Sequence, residues 1–260
     1  MLAPPFMTFA RCFVASIVLS IVFGISNPSK LRFPYKNRQV IISGVLLTVH
    51  WVTFFYSITY SNVAIAAVSV FTFPIMTALL EPFISKTPFD RIHILLGIII
   101  LIGIYIMSPD ISLANDTFLG ILFGLLSALA YAIRNIVSRN LTSLFSSTSL
   151  MFYQVVLVTI LLFPYANTYD MITVRENILP LLALGILPTI IGHAMLVESF
   201  KFFSAAKVSI LSSFQPLFSI GMAVIFLNEY PTSKALMGGL IIFFAVFFEV
   251  LRKRQRSSTT

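Results

Sequence analysis

The sequence predicts an all-α polytopic membrane protein built from two inverted five-helix repeats, with four helices of the first repeat and five of the second present. Two observations carry this. First, only 10% of the 260 residues are charged, 58% are apolar and 26 are Phe, with a mean hydropathy of +0.98. Soluble domains carry about 25% charged residues, so this composition leaves little soluble mass. Second, the later half of the chain repeats the earlier half. Residues 50–107 match 192–249 at an offset of 142, so that Pro74 falls on Pro216 and Gly97 on Gly239. FTFPIMTALL at 71–80 reads like SSFQPLFSIGMAV at 212–224, and residues 4–22 match 147–165 at an offset of 143. The helix beginning near Thr117 has no upstream counterpart.

A spanning helix needs about 20 mostly apolar residues. Nine segments meet that need: 4–24, 38–58, 62–84, 91–108, 117–136, 147–165, 177–199, 205–227 and 233–251. The links are too short to hold a globular catalytic domain. No segment alternates with period two, as membrane β-barrel strands do. Pro74, Pro188 and Pro216 lie deep inside apolar runs, where neighbouring helices or water must satisfy the carbonyls they free.

Basic residues near helix ends set the orientation. Lys30, Arg32, Lys36 and Arg38 cluster after the first helix, Lys86 and Arg91 lie in the 85–91 stretch between the third and fourth, and Arg134 and Arg139 precede 147–165. Arg252, Lys253, Arg254 and Arg256 close the chain, whereas the 109–116 link carries Asp110 and Asp116 with no base. Alternation then puts 25–37, 85–91, 137–146, 200–204 and the C-terminus in the cytoplasm. The net charge of +8 is therefore read as membrane anchoring rather than as a nucleic-acid footprint. The N-terminal stretch MLAPPFMTFARCF lacks the basic region of a signal peptide. Cys12 is alone, which excludes an internal disulfide.

The same alternation places residue 1 outside. One further helix before Met1 would restore both the symmetry and a cytoplasmic N-terminus. The expectation is a truncated chain, and the alternative is a nine-helix variant. The domain reading is a first repeat over 1–108, an external linker over 109–116, a second repeat over 117–251 and a basic tail over 252–260. Five helices, an odd number, invert the second repeat relative to the first, as in many secondary transporters.

These pieces resemble the drug/metabolite transporter superfamily, and within it the EamA-type permeases. Pro4-Pro5-Phe6-Met7-Thr8-Phe9-Ala10-Arg11 looks like the family's second helix. Tyr60-Ser61-Asn62-Val63-Ala64-Ile65-Ala66-Ala67 with Phe73-Pro74 resembles its third-to-fourth helix signature. Phe202-Phe203-Ser204-Ala205-Ala206-Lys207 with Gln215-Pro216-Leu217-Phe218 repeats that signature. Phe226-Leu227-Asn228-Glu229-Tyr230-Pro231 with Gly238-Gly239 resembles the closing signature of the repeat. The resemblance covers nearly the whole chain less a first helix. It implies ten helices and transport of small organic solutes. The family's acidic residue after the fourth helix would fall near Thr87 and is absent, with Glu81 six residues earlier.

Intramembrane polar groups are the candidate pathway residues, because a charge at mid-bilayer costs roughly 3 kcal/mol or more. Arg11 either snorkels to the interface or holds an anionic group, with Glu81 or Glu198 as alternative partners. Glu81 and Glu198 lie near cytoplasmic helix ends. His193 is either proton-responsive or a packing histidine. The offset sets His50 and Trp51 against Gly192 and His193. Tyr56 and Tyr60 share a face if their helix runs that far. Tyr131 and Gln154 add polar groups within apolar helices. Pro74 and Pro216, at matching positions, are hinge or gating candidates. Gly120 and Gly124 form a GxxxG that offers a homodimer face.

The expected function is secondary active transport of a small organic metabolite, an amino acid or related solute, by alternating access across the inner or plasma membrane. Proton coupling or solute exchange would drive it. No P-loop is present, HExxH and its reverse are absent, and no metal or cofactor is expected. The partners are a small-molecule substrate and membrane lipid, not nucleic acid. A non-transporting structural or sensory membrane protein is the alternative, followed by an intramembrane enzyme.

Overall fold

Helices account for all the regular structure among the described residues of the computed structural model, which are all except 1, 62, 108–114, 170, 216, 219–224, 226–231 and 258–260. In order they are α1 (Pro4–Ser26), α2 (Arg38–Tyr60), α3 (Val63–Val70), α4 (Phe73–Ser85), α5 (Arg91–Met107), α6 (Asn115–Leu141) and α7 (Ser147–Leu162). There follow α8 (Met171–Glu176), α9 (Ile178–Leu184), a π-helix (Gly185–Gly192), α10 (His193–Ser199), α11 (Ala205–Ser212) and α12 (Ser233–Ser257). Six described helices are long and apolar enough to cross a membrane: Pro4–Ser26, Arg38–Tyr60, Ile65–Ser85, Asp116–Leu141, Ser147–Tyr165 and Ile178–Ser199. Arg91–Ile106 and Leu236–Glu249 are shorter apolar helices. The predicted 205–227 helix begins as α11, which ends at Ser212 in a turn at Ser213 and Phe214; residues 216, 219–224, 226 and 227 of it lie outside the described residues.

Three segments differ from their prediction. The segment expected as one helix over 62–84 is α3 and α4, separated by a turn at Phe71 and Thr72. Pro74 is therefore not an interior kink. It sits in the first turn of α4, where its missing N–H would have had no partner anyway. Pro82 is the proline inside α4. Pro216, its predicted counterpart as a hinge, lies outside the described residues. The segment expected over 117–136 continues to Leu141, because nothing from Leu125 to Leu141 is Gly or Pro. Arg134, read as a base beside a link, is consequently followed by about two further helical turns and has no exposure. The segment 177–199 contains the π-helix, with Pro188 inside it.

The chain forms two compact units, each drawing helices from both halves of the sequence. The first comprises residues 1–55 and 133–203, the second 56–132 and 204–260. In the first unit α1 turns Thr8, Arg11, Cys12, Ala15, Leu19 and Phe23 inward and leaves Phe13, Ile17 and Ile21 outside. That outer stripe, one residue every helical turn, suits lipid. α1 runs antiparallel to α7. Phe9 meets Phe163, Ser16 Oγ lies 3.3 Å from Thr159 Oγ1, and Phe23 meets Phe152.

In the second unit α5 and α12 pack antiparallel in the same way. His93 meets Glu249 at one end, Ile100 and Ile242 are buried in one cluster, and Gly103 lies against Gly238 at the other end. Ser57 Oγ donates to Gly120 O at 2.7 Å. A Cβ on Gly120 would fall 2.6 Å from Ser61 Cβ, and one on Gly124 would strike Ser69. The GxxxG pair is thus buried in a seam within this unit. As a signal for a homodimer face it loses its force.

Candidate functional site

Arg11 lies seven residues into α1, about 10 Å from the helix start at 1.5 Å per residue, and on the inward face. The side chain is 6% exposed and its Cζ lies 4.2 Å from the centroid of the Trp51 ring on α2. A desolvated cation–π contact of this kind contributes about 2 kcal/mol. Arg11 Nε donates to Thr189 Oγ1 at 2.9 Å. Among the described residues this is its one hydrogen bond, and no carboxylate pairs with it.

The other face of the site comes from the π-helix and α10. His193 meets Trp51 edge to face, with ring centroids 5.1 Å apart and planes at 78°. His193 lies in the same unit as Arg11, Arg134 and His50. His50 is 7% exposed and stacks on Phe54. The fold therefore gathers four of the sequence candidates or their neighbours, Arg11, His50, Trp51 and His193, in the first unit.

Gln154 on α7 is the hub of an adjoining polar network. Its Oε1 accepts from Arg134 Nη2, and its Nε2 donates to Ser43 Oγ at 3.0 Å and Ser138 Oγ at 3.1 Å. Arg134 Nη1 donates to Asn135 Oδ1 at 3.1 Å. Arg134, Gln154, Ser43 and Ser138 have no exposure. Thr189, Ser43, Ser138 and Arg134 were not singled out from sequence as pathway residues. The unbroken helical run through Leu141 was the available signal for Arg134. Ser and Thr are too common in membrane helices to stand out.

The carboxylate candidates do other work. Glu198 accepts from Ser147 Oγ at 2.6 Å and pairs with Lys201 Nζ at 2.9 Å, its side chain 44% exposed. It is not the partner of Arg11. In the second unit, Glu81 on α4 is buried and receives the backbone N–H of Ala205 at 2.7 Å and of Ala206 at 2.8 Å. Its carboxylate thus closes the N-terminus of α11, where orphan donors and the helix dipole favour an anion.

Tyr56 and Tyr60 do share a face, α2 running through Tyr60, and both stack on Phe123 at 5.4 and 5.5 Å. Tyr131 is buried edge-on to Phe73. A 570 Å³ cavity in this unit is lined by apolar side chains such as Ile65, Ile98 and Leu125, and by none of the candidates. Also unforeseen is a buried ionic cluster. Glu249 Oε1 lies 3.3 Å from Lys207 Nζ and 3.4 Å from His93 Nε2. Among the described residues no group of three or more His, Cys, Asp or Glu is placed to hold a metal.

The chain belongs to the EamA-like transporter family, whose model matches residues 2–108 and 118–251. It is 24% identical to an uncharacterized transporter, YxxF, of Bacillus subtilis over 98% of this chain and 83% of that one. It is 24% identical to the S-adenosylmethionine uptake transporter of Rickettsia conorii, over 96% of this chain and 83% of that one. Similarity to the pseudopaline exporter CntI of Pseudomonas aeruginosa is again 24%, over 78% and 72%. A protein of known crystal structure superposes with a TM-score of 0.77 at 18% identity, covering 97% of this chain and 89% of that one. The likeness in fold is that of the whole chain.

Proposed function

We propose that this protein is a secondary active transporter for a small organic metabolite bearing a carboxylate, an amino acid or related solute, and that Arg11 binds that carboxylate. The observation that carries the reading is the state of Arg11: buried, stacked on Trp51, tied through Nε to Thr189 and without an acidic partner among the described residues. A guanidinium held in this way presents its Nη edge to a planar anion. Placing such a charge in a membrane helix is costly, and substrate binding is the usual reason for it. The Rickettsia and Pseudomonas relatives named above carry small organic solutes in opposite directions, so direction is left to measurement. His193, in ring contact with Trp51, is the group through which proton coupling would act. Counterflow with and without a pH gradient separates coupling from exchange.

Alternating access would come from two inverted repeats, 1–108 and 117–251, with the 25–37, 85–91 and 137–146 links and the C-terminal tail in the cytoplasm. Supporting this, residues equivalent under the sequence offset meet one another. Ser16 faces Thr159, Trp51 faces His193, and Ile100 shares a cluster with Ile242. The equivalent helices α1 and α7, and α5 and α12, run antiparallel. Both features are expected where a two-fold axis in the membrane plane passes through the contact.

The test is liposome counterflow and thermal stabilisation of purified protein against amino acids, S-adenosylmethionine and their decarboxylated analogues. Carboxylate solutes should stabilise the wild type and Arg11→Gln should lose both stabilisation and flux. Equal response to the decarboxylated analogues, or undiminished flux in Arg11→Gln, would overturn the assignment.

A further inference from the structure

The π-helix supplies the geometry of Arg11. In an α-helix the N–H of residue 188 would bond the carbonyl of Leu184, but Pro188 has no N–H to give. In the π-helix the backbone N–H that reaches Leu184 O is that of Thr189, five residues on, and the Thr189 hydroxyl donates to the same oxygen at 2.6 Å. A hydroxyl has one proton and two lone pairs, so with its proton committed to Leu184 the oxygen can only accept. Arg11 Nε is the donor it accepts from, at 2.9 Å. Thr189 has no exposure, which leaves no room for water to compete.

The approach of the two elements is equally specific. A Cβ on Gly185 would lie 2.7 Å from Val14 Cγ1 and 3.0 Å from Arg11 O. Glycine at this position lets the backbone of α1 rest directly on the π-helix. Nε held by Thr189 and Cζ 4.2 Å over the Trp51 ring fix the guanidinium at two points. π-Helical turns are rare and concentrate at functional sites, and here the irregularity has an identifiable product.

We infer that Thr189 is a positioning residue for Arg11, and that Pro188 creates the opening in the helix that orients its hydroxyl. The inference rests on Arg11 being the anion-binding group. The rival reading is that the π-turn merely accommodates Pro188, with the Thr189 hydroxyl bonded locally to Leu184 O. On that reading Arg11 would hold its place without the hydroxyl.

Trp51 is the single tryptophan of the chain, so its near-ultraviolet circular dichroism and emission report on the ring beneath Arg11 without any substrate. Purified wild-type protein, Thr189→Val, Thr189→Ser, Pro188→Ala and Arg11→Gln would be compared in detergent. Thr189→Val should lose the Trp51 dichroic band and shift its emission to the same degree as Arg11→Gln, and Thr189→Ser should keep the wild-type spectra. Pro188→Ala restores the N–H that an α-helical turn needs at residue 188, removes the cause of the π-turn and should weaken the band independently, which guards against a misfolded Thr189→Val. A wild-type band in both Thr189→Val and Pro188→Ala overturns the inference, as does a Thr189→Ser spectrum identical to that of Thr189→Val. Because no solute is present, a spectral change in a protein that binds no carboxylate would reject the substrate reading while leaving the positioning role standing.

Discussion

At the scale of single residues, the buried polar groups of the first unit are held by hydrogen bonds to one another. Gln154 illustrates the consequence. Its amide accepts from Arg134 and donates to Ser43 and Ser138 in a region without exposure. Gln154→Leu keeps the volume but withdraws the acceptor from a buried guanidinium and the donors from two hydroxyls. Losing partners to buried polar groups costs about 1–3 kcal/mol, and more where one is charged. Gln154→Leu should therefore lower stability by about 3 kcal/mol, read from unfolding by SDS titration. Stability unchanged within 1 kcal/mol would mean that water enters the site.

At the scale of elements, helix ends and close crossings decide the outcome. Glu81 reaches from α4 to the N-terminus of α11 and satisfies two backbone donors there. Removing a side-chain cap costs about 1–2 kcal/mol. Glu81→Ala should therefore destabilise by that amount and speed hydrogen exchange at Ala205 and Ala206. Glu81→Gln, which retains one acceptor oxygen, should be milder. Gly124 sits in the α2–α6 seam with Ser57 and Ser69 against it. Gly124→Val should destabilise by roughly 1–3 kcal/mol through overpacking, and it should do so identically at all protein concentrations. A concentration-dependent loss would instead place this face in a dimer.

At the scale of the whole molecule, orientation and the ionic cluster are the testable features. Cysteine accessibility from the two sides of the membrane should place residues of the 137–146 link and the C-terminal tail on the same, cytoplasmic side. Opposite labelling would overturn the positive-inside reading. Glu249 lies at 1% exposure between Lys207 and His93. Breaking a buried ion pair from one side costs about 3–5 kcal/mol, so Glu249→Ala should be among the more damaging substitutions in α12, measured by the same SDS titration.

Much of this protein is fixed by local sequence. Hydrophobic length determines where helices can cross a membrane, because the bilayer demands about 20 apolar residues whatever they pack against. That is why α1, α2 and α7 fall where their residues predict. The repeat is also written in the chain, in the alignment of Pro74 with Pro216 and Gly97 with Gly239. What polar side chains do inside those helices is decided by partners distant in sequence, and no periodicity carries that information. Arg11 and Thr189 are 178 residues apart, and Glu81 and Ala205 are 124 apart. Only tertiary packing turned Glu81 into a helix cap, moved Pro74 to the start of a helix, and made Thr189 the anchor of Arg11. A buried hydrogen-bonding group must find a partner wherever the fold brings one within reach.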